Sequence, residues 1–238
     1  MKNLPTAVGN KFTTYLLYAI GEIVLVVIGI LIAVSINNWN GRKNDRKKEL
    51  SYLTSYANDL NKNIEELNRV IDRSGYLYQL ADTLIIRFVA SRPTSQPELD
   101  SMVYQLMGYT LYLSKEGTTE NLLGAGSLEI IQNTEIRASF VTQEADQKRL
   151  REVEKGAYDS FNEYLLYLKN HSKMYNYPLG NPMIDQRTQA NMMKDQYLLN
   201  VLDDISFKNK NLQGLYDQRK NELVVLLEMV NTEIQKFN

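Results

Sequence analysis

Few side chains in this chain are placed to do chemistry. It contains one histidine, His171, and no cysteine, which excludes disulfides, thiolate metal sites, cysteine nucleophiles and zinc or di-iron centres built on several histidines. No catalytic residue, metal site or cofactor is expected, and the chain does not read as an enzyme. His171 falls towards the end of a long helical stretch, where an imidazole interacts with the last free carbonyls. Glu65-Glu66 and Asp203-Asp204 are adjacent carboxylates. On a helix, neighbours point about 100° apart, so each pair reads as a solvated face rather than as an acid and a base sharing one substrate. "GAGS" at 124–127 has no strand before it and no lysine after it, and so lacks the context of a phosphate loop.

Glu22 is different, because it is the only charged residue between Leu16 and Ile36. A helix over that stretch is about 30 Å long, the thickness of a bilayer's hydrocarbon core. Glu22 would lie about 6 Å from the midpoint, where insertion of a carboxylate costs roughly 2 to 3 kcal/mol. On a helical wheel Tyr15, Ala19, Glu22, Val26, Gly29 and Ala33 share one side, and Gly29 and Ala33 have the small-xxx-small spacing that lets membrane helices approach closely. Three readings are open. Glu22 is protonated or reaches the nearer interface without a role; it bonds across an oligomer or to another subunit and sets register; or it moves ions or protons, although no second ionisable group in the span could complete a relay.

The elements that would position Glu22 follow from the surrounding pattern. Tyr15 and Tyr18 at one end of the stretch and Trp39, the only tryptophan, at the other suit the two headgroup levels. A cleaved leader would use Lys2 and Lys11 as its basic region and Ala33-Val34-Ser35 as its cleavage site, but the apolar core is long for one and carries Glu22. Arg42, Lys43, Arg46, Lys47 and Lys48 outnumber Lys2 and Lys11, so the positive-inside rule places the larger C-terminal part in the cytoplasm. The net charge of −1 gives no basic face for nucleic acid.

Beyond Asn40 the apolar residues become spaced. Leu50, Ala57, Ile64, Ile71, Tyr78 and Ile85 recur every seventh residue, as do Leu53, Leu60, Leu67, Ser74, Ala81 and Phe88. Such a/d periodicity reads either as a coiled-coil seam or as an amphipathic helix packed on its own chain's bundle. "SRPTSQPE" at 91–98 breaks it. Pro97 then opens a helix expected to run to about Leu113, and short segments punctuated by Gly117, Gly124 and Gly126 follow. A long helix is expected from Thr134 to about Met174, with the charged stretch "QEADQKRLREVEK" at its middle as solvated surface. After a loop at 175–182 come a short helix at 196–205 and a terminal one from about Asn209 to Phe237. Sixteen tyrosines serve as amphipathic packing groups.

The fold is therefore expected to be all-α, with a tail over 1–14, a transmembrane helix over 15–40, a coiled-coil-like helix over 41–91, and a bundle of roughly four or five helices over 97–238.

"YLLYAIGEIVLVVIGILIAVSINNWN" with the basic run after it resembles the membrane segment of an uncharacterised Bacteroidota family, domain of unknown function 6090. "NLLGAGSLEIIQNTEIRASF" and "LDDISFKNKNLQGLYDQRKNELVVLLEMVNTEIQ" are similar to that family's later segments. The resemblance implies a single-pass envelope protein with a helical domain and no assigned activity. That family's longer, more basic N-terminus implies the opposite topology, with the helical domain in the periplasm. Together these readings lead to an expectation of a single-pass bacterial inner-membrane scaffold or sensor subunit. It would contact the lipid bilayer and assemble with its own copies, or with another membrane subunit, through Ala19, Glu22, Val26, Gly29 and Ala33. The alternative is a subunit of an ion- or proton-driven channel or motor in which Glu22 titrates.

Overall fold

The computed structural model describes residues 9–92 and 94–237. Among them there is helix and no strand, in the order α1 (Gly9–Val89), α2 (Gln96–Gln105), α3 (Gly117–Gly124), a 3-10 turn (Leu128–Ile130), α4 (Thr134–His171), a second 3-10 turn (Met174–Leu179), α5 (Gln186–Met192) and α6 (Gln196–Gln235). The all-α class is as expected. The first eight residues of the expected tail, Lys2 among them, and Pro93 in the predicted break lie outside the described residues.

The chain divides into two units, residues 1–51 and 52–238. The first is the N-terminal part of α1, with a window of mean hydropathy 2.8 and none of that window buried; the helix is long and apolar enough to cross a membrane.

The second unit is built on three long helices. Its core has two parts. One joins Leu53, Leu60 and Leu67 of α1 to Ile136, Phe140 and Leu150 of α4 and Leu212, Leu223 and Val230 of α6. The other joins Leu77, Leu84 and Phe88 of α1 to Tyr164 and Leu168 of α4 and Leu198 and Leu202 of α6. This order makes α1 and α4 parallel, with α6 antiparallel to both. Cross-links between Tyr56 and Ser139, Glu154 and Tyr216, and Asp82 and Ser206 agree with that topology.

The heptad pattern of α1 is thereby explained. Leu53, Leu60, Leu67, Ser74, Ala81 and Phe88 are all buried, and so is a neighbouring row seven apart: Tyr56, Asn63, Val70, Leu77 and Leu84. A face that broad is wider than an a/d seam between two helices, and α4 and α6 of the same chain cover it. Gly75, in the weakened middle of the pattern, lies against α6, where an added Cβ would stand 2.6 Å from Gln213 Nε2.

Two expectations fail in instructive ways. The helix expected to reach Leu113 ends at Gln105, and residues 108–116 cross the bundle without helical structure. The peptide groups of this strap bond to side chains instead. Asn63 Oδ1 accepts from Lys115 N at 2.6 Å while Asn63 Nδ2 donates to Lys115 O at 3.0 Å. Glu154 Oε1 accepts from Tyr112 N at 2.8 Å, and just beyond the strap Asp59 Oδ2 accepts from Thr118 N at 3.1 Å. Buried backbone groups must be paired, and polar side chains of α1 and α4 supply the partners that a helix would have made internally.

The break expected near residues 206–208 is absent, and α6 is one helix of 40 residues. Its polar interruption is absorbed because Ser206 bonds Asp82 on α1 and Asn209 Nδ2 donates to Ile205 O one turn back. Residues 97–238 hold five helices, α2 to α6, within the four or five expected; α4 and α6 are the long ones, and α2, α3 and α5 are short. α5 was not anticipated.

"GAGS" is a helix stop. Gly126 has φ +62, Ser127 N donates to Leu122 O and Gly126 N to Leu123 O, at 3.0 and 3.2 Å, the paired bonds of a left-handed C-terminal cap. Gly214, inside α6, has ordinary helical geometry and nothing within 4 Å of an added Cβ. Alanine at the two positions should therefore act in opposite directions. Denaturant unfolding should show Gly126→Ala lowering stability by about 1 to 2 kcal/mol and Gly214→Ala raising it by about 0.5 to 1 kcal/mol.

Candidate functional site

The residues singled out in the apolar stretch sit on α1 at successive steps of three and four. Ala19, Glu22, Val26, Gly29 and Ala33 therefore share one face, and every one of them is exposed. An added Cβ at Gly21 or Gly29 meets nothing within 4 Å, so the fold of the single chain gives no reason for glycine there. Tyr15, Tyr18 and Trp39 are exposed too. The Lys43 ammonium lies 5.3 Å from the centre of the Trp39 ring, a cation–π contact at the end of the stretch where the basic run begins.

In the second unit, the paired carboxylates behave as solvated faces. Glu65 and Asp203 are exposed, while Glu66 pairs with Arg69 at 2.6 Å and Asp204 with Lys208 at 2.7 Å. Arg69 holds the Glu66 carboxyl below the usual range, chiefly through this hydrogen bond. His171 is the last residue of α4, stacked on Tyr167 with Nδ1 2.9 Å from Tyr167 O, a helix-end role as read from the sequence. Among the described residues no group of three or more His, Asp or Glu could hold a metal ion.

Sequence reasoning missed the buried acids. Glu154 falls within the stretch expected to be solvated charge, yet it is only 4% exposed. Its Oε1 accepts from Tyr216 Oη at 2.7 Å and from Tyr112 N at 2.8 Å, tying α4 to α6 and to the strap. Burial raises its pKa above the ordinary value of 4.5, against the opposing effect of the two hydrogen bonds. The Tyr216 phenol is pushed well up by burial and by the same carboxylate. A signal was present: Glu154 falls four after Leu150 and three before Ala157, in phase with the buried stripe of α4. Asp100, 5% exposed, is another buried acid. Its carboxylate accepts from Met183 N at 2.9 Å and Ile184 N at 3.0 Å, pinning the connection between α4 and α5 to α2.

Residues 22–81 match the model of a family of unknown function, DUF6090. The matched part opens at Glu22 and covers the rest of the apolar stretch and most of α1. The resemblances read at 121–140 and 202–235 lie outside it. No curated protein and no solved structure shows significant similarity to the chain.

The Glu154 cluster has a pH signature. A carboxyl whose pKa is raised on folding stabilises the fold below its unfolded value, near 4.5, and that contribution is lost as the pH rises through the folded value. Glu154→Gln keeps an acceptor for Tyr216 and Tyr112 but cannot ionise. Unfolding free energies measured from acid to neutral pH should show the variant gaining on the parent as the pH rises. A difference that ran the other way would mean that the hydrogen bonds to the ionised form outweigh its desolvation.

Proposed function

We propose that the protein is a single-pass membrane scaffold or sensor subunit of the bacterial inner membrane, assembling through the α1 face that carries Ala19, Glu22, Val26, Gly29 and Ala33. The observation that carries this reading is the uncovered apolar stretch. Its side chains have no cover from the described residues, and the Gly29 position has open space around it. An aqueous helix so exposed would present an apolar patch far beyond what soluble monomers tolerate. In a bilayer the same surface is at home, and the remaining cost is Glu22. A partner helix closing on Gly29 and Ala33 would let Glu22 share a hydrogen bond in hydrocarbon, worth about 1 to 2 kcal/mol in model systems. Arg42, Lys43, Arg46, Lys47 and Lys48, all exposed, support a cytoplasmic second unit.

Mass measurement of the intact protein in mild detergent, with co-purifying subunits identified, tests the reading. The parent should run as an assembly, and Gly29→Leu should weaken it by about tenfold or more by holding the helices apart. Glu22→Gln, which retains a hydrogen-bonding group, should preserve the assembly, whereas Glu22→Ala should disperse it. A parent that is monomeric and alone, or variants without effect on mass, would overturn the assembly face.

A further inference from the structure

A second site lies in the helical unit, and it stands whether or not the chain assembles in a membrane. Between the strap and α4 is a groove of ≈ 540 Å³, lined among others by Tyr109, Leu113, Arg151, Glu154, Lys155 and Tyr158, within the size range of small-molecule sites. Arg151, Glu154, Lys155 and Tyr158 are spaced to share a face of α4.

Glu154 is the group that demands explanation. Both of its donors, Tyr216 Oη and Tyr112 N, go to Oε1, although a carboxylate can accept on both oxygens. Oε2 takes no hydrogen bond from the described residues, and Glu154 lines the groove. A desolvated carboxylate with half of its accepting capacity unused favours a strong donor.

The surroundings narrow the donor. Arg151 and Lys155 are exposed beside Glu154, and neither forms an ion pair or hydrogen bond among the described residues. A simple cation would meet these two charges, and a simple anion would meet Glu154. A ligand carrying both signs satisfies all three. The wall is aromatic: the Tyr109 ring stands edge-on to Tyr158 at 4.9 Å and 5.2 Å from Phe161, and Tyr109 and Tyr158 remain 46% and 39% exposed. Such rings offer contact area to an apolar or aromatic side chain.

We propose that this groove binds a compact zwitterion of the α-amino-acid class, with its ammonium on Glu154 Oε2, its carboxylate on Arg151 and Lys155, and its side chain against Tyr109 and Tyr158. A helical unit holding such a site at one end of a membrane anchor would report on the ligand's concentration.

Titration calorimetry on the full chain in detergent tests this with three probes. L-phenylalanine carries both charges, its N-acetyl derivative only the carboxylate, and its amide only the ammonium. Saturable binding of L-phenylalanine is expected, with each blocked form weaker by about tenfold or more. Arg151→Gln, a change on the exposed rim that leaves the core untouched, should weaken L-phenylalanine and, by removing one of the two positive charges that oppose a cation, leave its amide no weaker than before. Absence of saturable binding at millimolar L-phenylalanine would overturn the proposal. So would N-acetyl-phenylalanine binding as tightly as the free amino acid, which would make the site an anion site with Glu154 protonated.

Discussion

The structure depends on where apolar surface is allowed to go. The buried rows of α1 between Leu53 and Phe88 pack into cores shared with α4 and α6 of the same chain. Between Leu16 and Ile36 the same helix is more apolar still, and none of the described residues covers it. Burial removes roughly 25 cal/mol for each square ångström taken from water, so a fully exposed stretch of this length cannot be left to solvent. A bilayer would accommodate it, and a helix is the form in which a single segment can enter one with every interior peptide group paired.

Inside the helical unit the governing constraint is the reverse: polar groups have been taken from water and must be paired. Asn63, Asp59, Glu154 and Asp100 each bond backbone groups of the strap, of the first turn of α3 or of the connection between α4 and α5. Three long helices form a core in two parts, and the connections between them are held by these few side chains. This arrangement gives the strap a defined path across α1 and α4, and it leaves Glu154 at the floor of a groove with aromatic walls.

Much of the fold was legible because helical periodicity is a strong signal when an apolar face is wide. The long span of α1, the break before Pro97, the start of α4 at Thr134 and the glycine-punctuated turn before it all follow from spacing and from proline and glycine chemistry. What escaped was the polar chemistry of the interior. "SFKNKN" looks like a break, but Ser206 and Asn209 satisfy themselves on Asp82 and Ile205, which only the tertiary partner reveals. The run from Leu106 to Leu113 has enough apolar residues for a helix, and the competing pairings from Asn63 and Glu154 lie 40 or more positions away. Glu154 itself sits in the buried phase of α4, hidden among charges that are solvated as expected. In the apolar stretch the shared face of Glu22, Gly29 and Ala33 was readable by spacing alone.

The central claim is that the first unit is held by lipid and the second is a folded body attached to it. Extraction of isolated membranes at high pH, which strips proteins held only by surface contacts, measures this directly when combined with intact-mass analysis. The account predicts that the full chain stays with the lipid pellet at its uncleaved mass, while a chain beginning at Tyr52 is released as a folded, helical protein. Release of the full chain, or recovery of a product cut near Ser35, would contradict it.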